Sequence, residues 1–259
     1  MYQAGVSLGG GCLRGVAHIG VLRELLNQNI RITHQAGTSA GAVVGGLYAC
    51  GLHPNQMVKT LASLSIRKHL DFGLNRKGCL KGDRIYNTLL KLTDGKHFSD
   101  LEIPFAVVCV DLNSRNIVIL NKGEVAMALR AAIAIPGVFA PVEMGEMLLV
   151  DGYILNNNPA DVVKKMGAKH VIAVRVLSSN KQNETPTSLI SYLSRYMDIA
   201  SCTHTDQLLK THADMVLDID LVDVGRFNPR LIPDMIQRGQ VEARKTLVKR
   251  KAKANIRAV

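Results

Sequence analysis

Residues Pro104 to Leu112 read PFAVVCVDL, a near-continuous apolar run of strand length. A strand that is apolar on both faces must be covered on both faces, as in a parallel sheet held between layers of helix. His170 to Leu177 reads the same way. Helical and strand periodicities alternate around these two runs. Val6 to Leu8 reads as a short buried strand that enters Gly9-Gly10-Gly11. From Gly15 to Asn29 the spacing predicts a helix, with Val16, Ile19, Val21, Leu22, Leu25 and Leu26 inside and Arg23, Glu24, Asn27 and Gln28 outside. Strands are expected at Ile30 to Ile32, Asn116 to Leu120, Met147 to Val150 and 215 to 219. Helices are expected at Ala40 to Cys50, from Pro54 to about Leu64, from Asp83 to about Leu92, at Glu124 to Ala134, and over about 188 to 210 and 233 to 254. The alternation predicts an α/β fold of three layers, α/β/α, around a mostly parallel central sheet. The polar stretch Ser178 to Ser188 is the one candidate boundary. The segment beyond residue 188 has too few strands for its own core, so a single domain is expected over 1–259, ending in a basic helix and tail from about 233.

Composition narrows the setting. Apolar residues make up 47% of the chain and aromatics 4%, so the core is large and aliphatic. A net charge of +11 favours anionic partners, whether nucleic acid, anionic lipid or acidic metabolites. The five cysteines are odd in number and widely spaced, which suggests neither a zinc site nor a disulfide framework and fits a reducing cytosol. Met1 to Gly5 lacks the basic and apolar regions of a leader, so no signal peptide is expected. The charge-free stretch Gln35 to Val58 is interrupted by polar residues and falls short of the ~20 apolar residues a membrane span requires. Its glycines at 37, 41 and 45 share a helix face and point to close packing on a sheet instead. Residues 65 to 81, with Arg67, Lys68, Arg76, Lys77 and Lys81 among glycines, read as a mobile basic cap.

Three separated pieces carry chemistry. The pentapeptide Gly37-Thr38-Ser39-Ala40-Gly41 stands between a β-prone run and a small-residue helix. Serine at such a turn has its hydroxyl forced outward, and the helix N-terminus adds partial positive charge where an oxyanion forms. Upstream, Gly9-Gly10-Gly11-Cys12-Leu13-Arg14-Gly15 joins a strand to a helix, and consecutive N–H groups in such a loop converge on an anion. Downstream, Asp151-Gly152 ends a strand. A dinucleotide loop on Gly10, Cys12 and Gly15 would need Cys at the middle glycine and lacks an acidic residue after the second strand. A Ser-Asp-His hydrolase would draw on His170, which precedes its strand at the wrong sheet edge, or on His204 and His212 within a helix. Ser39 also comes after too few strands for that layout. His18 reads as a packed histidine. Asp111, at a strand end, is a reserve base whose expected role is capping a loop.

This set resembles the patatin-like phospholipase family, in which a glycine-rich oxyanion loop precedes G-x-S-x-G and the base is an Asp in a D-G-[GA] motif. Val16-Ala17-His18-Ile19-Gly20-Val21-Leu22, Ala131 to Val142, Leu149 to Gly152 and Asn156-Asn157-Asn158-Pro159 are similar to bacterial members in order and spacing. The resemblance covers roughly 5 to 175. It implies Ser39 as nucleophile, Asp151 as its base without an intervening His, and the N–H groups of Gly10, Gly11, Cys12 and Leu13 as oxyanion donors. Gly37, Gly41, Gly152 and Arg14 are implied in support, Arg14 either bracing the loop or meeting a lipid phosphate. Cys12 stands where the family has glycine, and Tyr153 where Gly or Ala is usual, so Tyr153 is expected to narrow the pocket or donate a hydrogen bond. The implied activity is that of a serine acyl hydrolase of lipid esters, of phospholipase A or lysophospholipase type. Thioester hydrolysis, acyl transfer, or a low-activity binding role on the same fold are the alternatives. No metal or cofactor is implied. The expected partners are a lipid or acyl-ester substrate and, through the basic segment Arg238 to Arg257, an anionic membrane at its inner face; nucleic acid rests on charge alone.

Overall fold

Side-chain alternation with a period of two builds the sheet. All of β5 (Phe105–Asp111) is buried, with Val107 and Cys109 in the cluster on one face and Ala106 and Val108 in the cluster on the other. β9 (Val171–Arg175) divides likewise, Ile172 and Val174 on one side and Val171 and Ala173 on the other. The computed structural model describes residues 2–63, 72–75, 78–176, 189–221, 223–225 and 228–256.

The main sheet also contains β1 (Tyr2–Leu8), β2 (Ile30–Thr38), β6 (Asn116–Leu120), β7 (Val142–Met144), β8 (Met147–Asp151) and β10 (Met215–Asp218). Its order is β10-β9-β1-β2-β5-β8-β7, with β6 paired to β5. The five strands from β10 to β5 run parallel, while β8 and β6 both pair antiparallel to β5. The mostly parallel α/β expectation holds. β2, however, runs on through polar Thr33 to Thr38, well past the apolar run that announced it.

On one face lie α1 (Ala17–Asn27), α2 (Ala40–Ala49), α5 (Val125–Ala132) and α8 (Ile232–Ile256). The other face is covered by α6 (Ala160–Lys165) and α7 (Leu189–His212). Further helices are α3 (Pro54–Ser63) and α4 (Asp83–Leu92). The charge-free stretch 35–58 resolves into the end of β2, a turn, α2 and the start of α3, and among the described residues no helix is long and apolar enough to cross a membrane. Of the expected basic cap, 64–71 and 76–77 lie outside the described residues, as does 177–188; Phe72–Asn75 and Gly78–Leu80 form the antiparallel pair β3–β4.

α8 is packed as well as basic. A Cβ on Gly20 would strike the Ile236 carbonyl, and one on Gly239 the Ala17 carbonyl, so α1 and α8 cross in backbone contact. Met235, Ile236, Ala243 and Leu247 are buried there. Several of its cations are paired with carboxylates. Arg244 bonds buried Glu24 at 3.2 Å. Arg238 meets Asp223 at 2.6 Å and Asp234 at 2.9 Å. Burial works against the charge on Glu24, but hydrogen bonds from Arg244, Gln28, Gln240 and Asn27 outweigh it and hold the carboxyl below its usual range.

Candidate active site

Strand register brings the two predicted functional residues together. Thr38 of β2 pairs with Val108, and Cys109 of the same central strand pairs with Asp151. Ser39, one residue past Thr38, therefore comes level with Asp151 across β5, near enough for its hydroxyl to favour the Asp151 carboxylate. Tyr153 N–H donates to Asp151 Oδ1 at 3.0 Å, and the Ala134 carbonyl accepts from Asp151 N–H at 3.2 Å.

Ser39 caps α2 with φ 55° and ψ −130°, a backbone region that costs of order 1–3 kcal/mol for a residue with a Cβ. Packing holds it there. Gly41 lies against the Leu8 carbonyl, where a Cβ would not fit, and Gly37 lies against Ala42. Of the settings such a turn allows, open solvent or a cleft, burial excludes open solvent: Ser39 is 3% exposed and Asp151 2%. Burial pushes the Asp151 carboxyl up to about 7, against the opposing influence of the nearby Ser39 hydroxyl and the hydrogen bond from Tyr153 N–H. A carboxylate of that basicity beside a serine hydroxyl is matched to taking its proton near neutral pH.

The glycine loop lies directly on this pair. A Cβ at Gly10 would come within 2.9 Å of both Ser39 Cβ and the Tyr153 ring. One peptide in the loop is gripped at both ends. His18 Nε2 donates to the Gly9 carbonyl at 2.7 Å, and the N–H of that same peptide, on Gly10, donates to Asn157 Oδ1 at 2.8 Å and to the Asn157 carbonyl at 3.1 Å. Gly10 N–H is thereby engaged by Asn157; the amides of Gly11, Cys12 and Leu13 come next along the loop. The neighbouring asparagines brace the same corner. Asn158 accepts from Ser7 Oγ at 2.5 Å and donates to the Val174 carbonyl at 2.8 Å, while Thr38 Oγ1 donates to the Asn156 carbonyl at 2.8 Å.

His18 is fully buried, and burial lowers its pKa to about 4 in spite of the Gly9 hydrogen bond. It is a neutral donor, and its role exceeds the packing expected of it. Cys12 has φ 52°, in the left-handed region where glycine is preferred, so its dihedral is not ordinary and the substitution carries strain. Arg14 is buried, and its Nε and Nη2 donate to the Val224 carbonyl at 2.8 and 2.5 Å, a bracing contact. The Tyr153 ring packs on Gly10, and its hydroxyl donates to Asp198 of α7, a hydrogen bond of the kind expected of it. Asp111 accepts from the N–H groups of Asn113, Ser114 and Leu148, the loop-capping role. His170 stacks on Tyr2 at the far end of the sheet.

The patatin-like phospholipase family model matches residues 6–164, from the strand before the glycine loop to the helix after Asp151. The chain belongs to the patatin-like phospholipase family. An uncharacterized NTE family protein of Mycobacterium tuberculosis is 35% identical over 179 residues, which cover 68% of this chain and 50% of that protein. A patatin-like phospholipase domain-containing protein of Caenorhabditis elegans is 33% identical over 189 residues, 69% of this chain and 14% of that one. This chain thus spans about half the length of its mycobacterial relatives and far less of the nematode one. VipD of Legionella pneumophila shares the fold at a TM-score of 0.66 and 15% identity, over 96% of this chain and 67% of VipD. The type III effector ExoU does so at 0.55 and 14%, over 96% of this chain and 53% of that one.

Proposed function

We propose that this patatin-like chain is a serine acyl hydrolase of lipid esters, of phospholipase A or lysophospholipase type, working as one unit over 1–259 at an anionic membrane surface. The observation that carries the reading is the juxtaposition of buried Ser39 and buried Asp151 across β5, with the carboxyl raised to about 7. Asp151 takes the Ser39 proton as Oγ attacks the ester carbonyl. The tetrahedral oxyanion is met by N–H groups of Gly11, Cys12 and Leu13 at the start of the helical turn, each such donor worth roughly 3 kcal/mol. As the intermediate collapses, the proton passes from Asp151 to the leaving alkoxide and Ser39 is left acylated. Water, deprotonated by the same carboxylate, then releases the fatty acid. No histidine is needed in this cycle. Family membership supports the substrate class.

Release of fatty acid from phosphatidylcholine and lysophosphatidylcholine, measured by mass spectrometry, tests the reading. Release by the native chain that is lost in Ser39→Ala supports it. Equal release by folded Ser39→Ala protein would sink it.

A further inference from the structure

The packed side of α7 mixes polar and apolar residues: Ser201, Thr205 and Leu209 are buried, and Asp198 accepts from Tyr153. On the opposite side Tyr192, Tyr196 and Ile199, at i, i+4 and i+7, are 58%, 69% and 69% exposed, with Leu193 beside them. A surface helix normally presents a polar face to solvent, and clustered exposed apolar side chains mark a contact surface.

We propose that the Tyr192–Ile199 face of α7 is where this protein docks on a phospholipid bilayer. The inference rests on the lipid-hydrolase reading and adds the surface that delivers the substrate. Three observations favour a bilayer. Tyrosines beside branched aliphatics suit the boundary between head groups and acyl chains, where one end of the ring is wet. The helix adjoins the site: Asp198 on its packed side holds Tyr153, whose ring packs on Gly10, and Leu193, at the edge of the exposed face, lies against the 135–140 loop at Gly137. Charge is permissive as well. Between Ser191 and His204 the only carboxylate is Asp198, which is engaged inward, and the chain carries +11 overall. A second copy of the chain fits less well, because four side chains fall far short of the roughly 20 residues a side of a stable protein interface.

The test uses the full chain with Ser39→Ala, so that no lipid is consumed, and vesicles of phosphatidylcholine with phosphatidylglycerol. Tyr196→Ser with Ile199→Ser should lower the partition coefficient at least ~10-fold. In the Ser39 background the same pair should leave the melting temperature and the hydrolysis of a soluble short-chain ester unchanged. The chain has no tryptophan, so Tyr196→Trp supplies a single probe whose emission should shift to the blue when vesicles are added. Unchanged vesicle binding by the double variant, or an emission that ignores vesicles, overturns the proposal. So does a native dimer in sedimentation velocity that the double variant disperses, since the face then joins two copies. Vesicle docking through α7 in a protein that hydrolyses no ester would refute the enzymatic reading and leave the docking surface standing.

Discussion

Asp151→Asn should stabilise the fold while it abolishes turnover. The carboxyl titrates near 3.8 in an unfolded chain and at about 7 in the native site, because it is buried. A gap of roughly three units at 1.36 kcal/mol each gives on the order of 4 kcal/mol. The direction of the shift fixes the sign. The raised native pKa means that the folded state holds this proton more tightly than the unfolded state does. Its stabilising contribution is complete below about pH 4, declines as pH rises, and is gone above 7. Asparagine has no proton to lose and keeps an oxygen for Tyr153 N–H. The stability of the variant minus that of the native protein should therefore grow by ~1.4 kcal/mol per pH unit from 4 to 7 and then level off. Taking the difference cancels other titrating groups, His18 among them. For a chain of this size the gain corresponds to on the order of 10 °C in Tm at pH 8 relative to pH 4. Paired thermal melts from pH 4 to 8.5 measure it, and ester turnover in the same samples should be at least ~100-fold lower. A stability difference that stays constant across this range would refute the claim that the carboxylate is desolvated, and with it the physical basis of its role as base.

The packing around the site leads to three more expected outcomes. His18→Leu should lower kcat ~100-fold with KM little changed, because the Gly9–Gly10 peptide loses one of its two grips and the amides after it lose their aim; His18→Gln, which can still donate, should recover most of the loss, and equal damage by both would assign His18 to packing alone. Cys12→Gly should raise stability by up to ~1 kcal/mol by relieving the left-handed backbone, and a lower Tm would show that contacts of the thiol outweigh that strain. Gly239→Ala should destabilise by ~1–3 kcal/mol as its Cβ pushes α8 off Ala17; an unchanged urea midpoint would contradict the close crossing of α1 and α8.

The fold was legible where burial acts residue by residue. The double-faced apolar run of β5 and the strand–helix alternation declared a covered parallel sheet, and the elbow around Ser39 and the strand end at Asp151 stood out because fixed residue types recur at fixed spacing. What escaped reading depends on partners far away in the chain. The second half of β2 looks like a loop, since Gln35 and Thr38 are polar, yet both are buried and Thr38 is satisfied by the Asn156 carbonyl. Nothing local marks His18 and Asn157 as the two grips on one peptide, for they lie 139 positions apart (157 − 18) and meet only across the folded corner. The Asn156-Asn157-Asn158 run was the available signal, three adjacent amides preceding a helix. Likewise Glu24 and Asp223 oppose the charge of α8 only once that helix has folded back, in addition to Asp234 within the helix itself.

The central claim is that Ser39 is a nucleophile activated by Asp151. Its most direct test is covalent: labelling of the full chain by an alkyl fluorophosphonate, with the adduct located by peptide mass spectrometry and its rate measured from pH 5 to 9. A single adduct is expected on Ser39, forming at a rate that rises through pH ~7, and it should be absent in Ser39→Ala and at least ~100-fold slower in Asp151→Asn. An adduct on any other residue, or a labelling rate that Asp151→Asn leaves unchanged, would contradict it.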